Sequence, residues 1–146
     1  MTDPITLRIV VHDPLPDVAL RMQRGRHELI APIRHTASAA IFELQVQAKE
    51  RADGVLVLKG PEVQGPPTGR FVYVNAGTYA GAPTSPWARR AKIPLGAITS
   101  ALVAAVQAHP HAVLSAGIAG RARDGGPAAA TVPLTGAGWT VDTEPA

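Results

Sequence analysis

Apolar residues alternate along the first segment of the chain, with Ile5, Leu7, Ile9 and Val11 on one side and Thr6, Arg8, Val10 and His12 on the other. That two-residue period predicts a strand over 5–12 with one buried face. The DPLPD segment that follows carries two prolines, which block both helix and ladder. Val18, Leu20 and Met22 alternate again before QRGRHE, a loop or hairpin tip around Gly25. A second clear alternation runs from Ala40 to Glu50, with Phe42, Leu44, Val46 and Ala48 opposite Glu43, Gln45, Gln47 and Lys49. One apolar and one wet face is the pattern of an antiparallel sheet. The Asp53-Gly54 turn signal returns the chain through Val55–Lys59, so 40–59 is a predicted hairpin.

Residues 60–69, GPEVQGPPTG, hold too much Gly and Pro for regular structure. Arg70–Ala76 alternates as a strand, with Phe71, Tyr73 and Asn75 opposite Val72, Val74 and Ala76. A loop over 77–86 follows, and loops of that length between strands often carry function. Trp87–Ile93 reads as a further strand with Arg90 and Lys92 on one face. Leu95, Ile98, Leu102, Ala105 and Val106 recur at helical spacing, which predicts a helix over 95–108 with Pro94 at an early helical position. The His109-Pro110-His111 segment ends it. Ala112–Ala122 and Ala128–Leu134 read as short apolar strands about a turn at Asp124-Gly125, and Trp139–Val141 as a last edge strand. The sum is a mainly β (α+β) chain: an antiparallel sheet or small barrel of seven to eight strands with one packed helix, in a single domain spanning 1–146 with a frayed tail from 142.

Composition changes that picture little. Hydrophobic residues are 46% and charged residues 17%, which fits a globular chain and excludes disorder. Aromatic residues are only 4%, so the core falls to Val, Ile, Leu and Ala. The chain has no cysteine, which excludes disulfides, thiolate metal sites and cysteine nucleophiles and fits a reducing compartment. The N-terminal residues lack the basic and apolar regions of a signal peptide, and no apolar run nears the ~20 residues that span a bilayer. A cytoplasmic location is the expectation.

Charge is informative in one place. The net charge is +3, yet no acidic residue occurs between Glu62 and Asp124, while Arg70, Arg89, Arg90, Lys92, Arg121 and Arg123 do. Strand periodicity sets Arg90 and Lys92 about 6 to 7 Å apart on one face. Two such cations repel unless an anion lies between them, and arginine offers a bidentate fork for one. Solvation, or pairing with Glu43 or Glu62, is the alternative. Arg70 joins them if 70–76 and 87–93 pair, while Arg89 falls on the opposite face of the strand with Ala91 and Ile93 and is kept with the cluster. Gly77 and Thr78 open a glycine loop whose amides can curl around an oxyanion, and Tyr73 offers a hydroxyl. The loop lacks the endings of a Walker or dinucleotide motif. Glu62 and Tyr79 are the weak catalytic candidates.

Other chemistries find less support. No G-x-S-x-G occurs, and the histidines show no metal-ligand spacing beyond the pair at 109 and 111, so neither a metal nor any other cofactor is expected. Phe71, Tyr73 and Trp87 could stack on bases, but six cations over 61 residues is sparse for nucleic acid.

The text QGPPTGRFVYVNAGTYAG followed by WARRAKIPLGAIT is similar to an uncharacterised bacterial domain family. Its pattern runs through Gln64, Gly65, Pro66, Arg70, Phe71, Tyr73, Gly77, Thr78, Arg89, Arg90 and Lys92. The resemblance implies that these residues travel together and carries no activity. Three functions stay open: a β domain binding an anionic small molecule through Arg70, Tyr73, Gly77, Thr78, Arg89, Arg90 and Lys92; an enzyme on the same pocket; or a structural or interaction domain. The expected partner is an anionic small molecule. Nucleic acid is disfavoured, no membrane is expected, and homo-oligomerisation is left open.

Overall fold

The two clearest alternations become the two longest strands, β1 (Pro4–His12) and β5 (Ala39–Glu50), paired antiparallel with Leu7 opposite Leu44 and Arg8 opposite Glu43. They belong to a computed structural model that describes residues 4–14, 19–25, 28–66, 69–77, 91–120, 134–136 and 138–145. The other elements in chain order are β2 (Ala19–Arg24), β3 (Glu28–Ile30), β4 (Arg34–His35), β6 (Leu56–Lys59), β7 (Val63–Gln64), β8 (Phe71–Gly77), β9 (Ala91–Pro94), α1 (Ser100–Gln107), β10 (Val113–Ala119) and β11 (Thr140–Asp142). β2 and β3 form the hairpin around Gly25, whose φ of 61° suits glycine. The 40–59 hairpin forms as the Asp53-Gly54 turn signal predicts, with Ala48 opposite Leu58.

These strands make two sheets and no closed barrel. The first runs β11-β10-β1-β5-β4, with β6 on the same edge of β5 as β4. The second runs β3-β2-β8-β7, with β9 on the other edge of β8. The Gly/Pro-rich connection after β6 carries the chain from one sheet to the other, so each sheet keeps its own edges. One pairing departs from the antiparallel expectation: β10 lies parallel to β1, Ile9 opposite Ala116, which makes the first sheet mixed. A parallel pair needs a long crossover and leaves no turn signature between its strands.

The inward faces of both sheets meet in one apolar cluster. It includes Leu7, Ile9, Phe42 and Leu44 from the first sheet and Leu20, Met22, Val72 and Val74 from the second. Phe42 is 1% exposed, and removing such a side chain from water contributes about 2–3 kcal/mol. Helix α1 closes one side with Val103 and Val106. It begins later than expected. Thr99 caps it, its hydroxyl accepting from the Leu102 amide at 3.2 Å. Pro94 is the last residue of β9, and Leu95–Ile98 is a tight turn closed by Ile98 N–H to Leu95 O at 3.1 Å. Leu95 and Ile98 are buried as helix periodicity implies, but from that turn. The 112–134 region shows β10 and an antiparallel bridge between Ile118 and Leu134, and the residues 121–133 lie outside the described set. Among the described residues no helix is long and apolar enough to cross a membrane.

Candidate functional site

β8 and β9 pair antiparallel as the anion-site reading requires, with Tyr73 opposite Lys92 and Val72 opposite Ile93. Val72, Val74 and Ile93 are buried, so Phe71, Tyr73 and Lys92 take the outer face of the second sheet. There Lys92 Nζ sits 4.7 Å from the centre of the Phe71 ring, and the Phe71 and Tyr73 rings meet edge to face at 4.9 Å. Such a cation–ring contact satisfies part of the ammonium's charge without an acid. Gly77 ends β8 opposite Ala19. Thr78, Tyr79, Arg89 and Arg90 lie outside the described residues.

Arg70 goes elsewhere. It follows a turn in which Gly65 has φ 87°, and an added Cβ there would come 2.6 Å from Gly69 O and 2.8 Å from the Phe71 ring. Only glycine fits that position. The turn aims the Gly65 carbonyl at Arg70, whose Nη1 donates to it at 2.6 Å, while the Arg70 carbonyl accepts from the Leu95 amide at 3.0 Å. The side chain lines a cleft of about 270 Å³ whose walls are Val55, Leu56, Leu58, Leu95 and Ile98. Arg70 Nε is buried and has no hydrogen-bond partner, and among the described residues no carboxylate pairs with this arginine. Arg70 therefore lines this cleft beside core residues, whereas Lys92 lies on the outer face and is not among the cleft's lining residues.

Glu62 is not a solvated loop acid. It is 2% exposed, and Arg24 donates to its Oε1 from Nε at 3.0 Å and reaches the same oxygen with Nη2 at 2.8 Å. It lines a different cleft from Arg70, together with Thr6, Glu43 and Gln45. An acid–base group beside Arg70 is thus absent among the described residues. Glu43, the other acid offered as a partner for the basic strand, is held by Arg8 at 2.8 Å.

The Arg8 cluster escaped sequence reasoning altogether. Arg8 is 6% exposed on the outer face of β1, where it pairs with Glu43 and, at 3.4 Å, with Asp142, and Nη1 donates to Glu144 O at 2.9 Å. The segment expected to fray from 142 thus supplies two of its acceptors. The alternation does place Arg8 and Glu43 on the polar faces of their strands, but nothing local announces that they are cross-strand neighbours. The pair His109 and His111 is exposed, and among the described residues no group of three or more His, Asp or Glu could hold a metal.

A family model for a family of unknown function, DUF5990, matches residues 5–142. No curated protein and no solved structure matches the chain. The chain belongs to the DUF5990 family.

Proposed function

We propose that this member of a family of unknown function binds a small organic anion, a carboxylate with a short apolar body, at Arg70. One observation carries the reading: a guanidinium in an apolar cleft has a buried Nε without a partner and, among the described residues, no acid that pairs with it. Burying a charged donor unpaired costs free energy that a carboxylate oxygen recovers, and charged hydrogen bonds of this kind contribute about 1.5–3 kcal/mol. Leu56, Leu58, Leu95 and Ile98 suit an aliphatic body better than a phosphate. The run Arg89-Arg90-Ala91-Lys92, with Gly77, Thr78 and Tyr73, is a second anion-binding stretch in this reading; its support is the charge run in the sequence and the pairing of Tyr73 with Lys92. Binding is favoured over catalysis because Glu62 lines the other cleft.

Thermal-shift titration with butyrate, hexanoate and inorganic phosphate, on wild type and Arg70→Met, tests the reading. At about 100 times the dissociation constant a ligand adds about 2.7 kcal/mol, a rise of roughly 5–10 °C for a domain of this size. The expected result is stabilisation by hexanoate that disappears in Arg70→Met. Stabilisation kept in the variant, or none in wild type, overturns it.

A further inference from the structure

The second cleft, about 530 Å³, lies where β5 is left unpaired between β4 and β6, and Thr6, Arg24, Glu43, Gln45 and Glu62 line it. Its chemistry is opposite to that of the Arg70 cleft. Arg24 spends both Nε and Nη2 on a single oxygen of Glu62, so the carboxylate keeps Oε2 buried and without a partner. Glu43 likewise gives one oxygen, Oε2, to Arg8. Each arginine is also shared with a second acid, Arg8 with Asp142 and Arg24 with Glu28 at 3.8 Å. Of the charged residues that line the cleft, two are carboxylates, Glu43 and Glu62, and one is a guanidinium, Arg24.

We propose that this cleft binds a small organic cation of the guanidinium type. A planar cation that donates in its own plane matches a carboxylate edge, and it is more weakly hydrated than an ammonium ion. Glu62 Oε2, closed off in this structure, is the anchoring acceptor once Arg24 shifts, the Gln45 and Thr6 side chains add neutral acceptors, and Glu43 adds charge. Arg24, 41% exposed, already shows that a guanidinium fits Glu62 and is the side chain with room to shift as a ligand enters. Arg24 in the same cleft repels any cation that enters, a divalent ion about twice as strongly as a monovalent guanidinium, which disfavours a bare divalent ion.

Amide NMR titration with methylguanidinium chloride to about 20 mM, well above a millimolar dissociation constant, tests this against sodium chloride of equal ionic strength. Saturable shifts are expected at Thr6, Gln45 and Glu62, with Leu95 and Gly96 of the Arg70 cleft unmoved, so this proposal and the carboxylate site fail separately. Glu62→Gln should weaken binding at least about tenfold. Gln45→Lys, at an exposed position, places a competing cation in the cleft and should do the same if Glu62→Gln fails to fold. A second arm with an acetyl-Gly-Arg-Gly-amide peptide separates free cations from arginine side chains, tighter peptide binding marking the latter. Shifts that do not saturate, that centre on Gly96, or that persist unchanged in Gln45→Lys overturn the proposal.

Discussion

Arg8 and Arg70 both bring a guanidinium in from solvent, yet their surroundings differ in one respect. Arg8 meets Glu43, Asp142 and the Glu144 carbonyl, and its donors hold β1, β5 and the C-terminal segment together. Among the described residues Arg70 meets one carbonyl, Gly65 O, and a wall of aliphatic side chains. A cation with acids on two sides has its charge answered within the fold. One without them retains binding capacity that the fold does not use. Raw charge runs do not distinguish the two cases, because what matters is where the acids lie across the sheet.

The comparison breaks most visibly at Arg8. Arg8→Ala leaves Glu43 and Asp142 facing each other without their shared partner. Removing one member of a buried ion pair costs about 3–5 kcal/mol, and because these acids are 27% and 35% exposed the lower end applies. The expected loss is about 3 kcal/mol, or roughly 10 °C in Tm, measured by denaturant and thermal unfolding. A loss below about 1 kcal/mol would mean that the cluster is no more than a surface ion pair.

Gly65→Ala comes next, because it strikes the turn that presents Arg70. A side chain at φ 87° is strained, and its Cβ would press on the Gly69 carbonyl, which cannot swing aside as a flexible side chain can. The expected cost is about 2 kcal/mol, with any carboxylate binding weakened as well, since the acceptor of Arg70 Nη1 moves. Stability loss with unchanged binding would show that the turn does not position Arg70.

Much of this was readable in the chain. Period-2 alternation located β1, β5 and β8 because each buries one face, and the Asp53-Gly54 signal located the hairpin that brings in β6. The helix start was misplaced because Leu95 and Ile98 keep a helical spacing while buried from a turn, whereas Thr99 is the residue that caps. β7 is two residues long and sits among Gly and Pro, too short to show a period. The parallel β1–β10 pair and the Arg8–Glu43 contact join residues far apart in sequence, so neither leaves a local trace. At the site, the sequence marked Arg70, Lys92 and Glu62 and not their separation. Arg70 flanks β8 rather than continuing it, and its direction is set by the Gly65 turn.

Lys92→Ala should be milder. The ammonium lies over the Phe71 ring on a partly exposed face, where a cation–ring contact contributes about 0.5–1 kcal/mol. The expected change is a Tm lower by about 2 °C with hexanoate binding at Arg70 unaltered. If hexanoate binding falls instead, the two cations serve one site despite their different faces, and the division between the Arg70 cleft and the outer face has to be withdrawn.

The smallest effect, and the sharpest contrast with Arg8, is expected for Arg70→Met without ligand. The substitution gives up the hydrogen bond to Gly65 O, worth about 1.5–3 kcal/mol when the donor is charged, and removes a buried unpartnered donor whose cost is similar. Methionine also adds an adaptable apolar side chain to a wall of Val55, Leu56, Leu58, Leu95 and Ile98. These terms nearly cancel, so denaturant unfolding should give a stability within about 0.5 kcal/mol of wild type. A loss approaching that of Arg8→Ala would place Arg70 among the structural arginines and leave its cleft without an anion to bind.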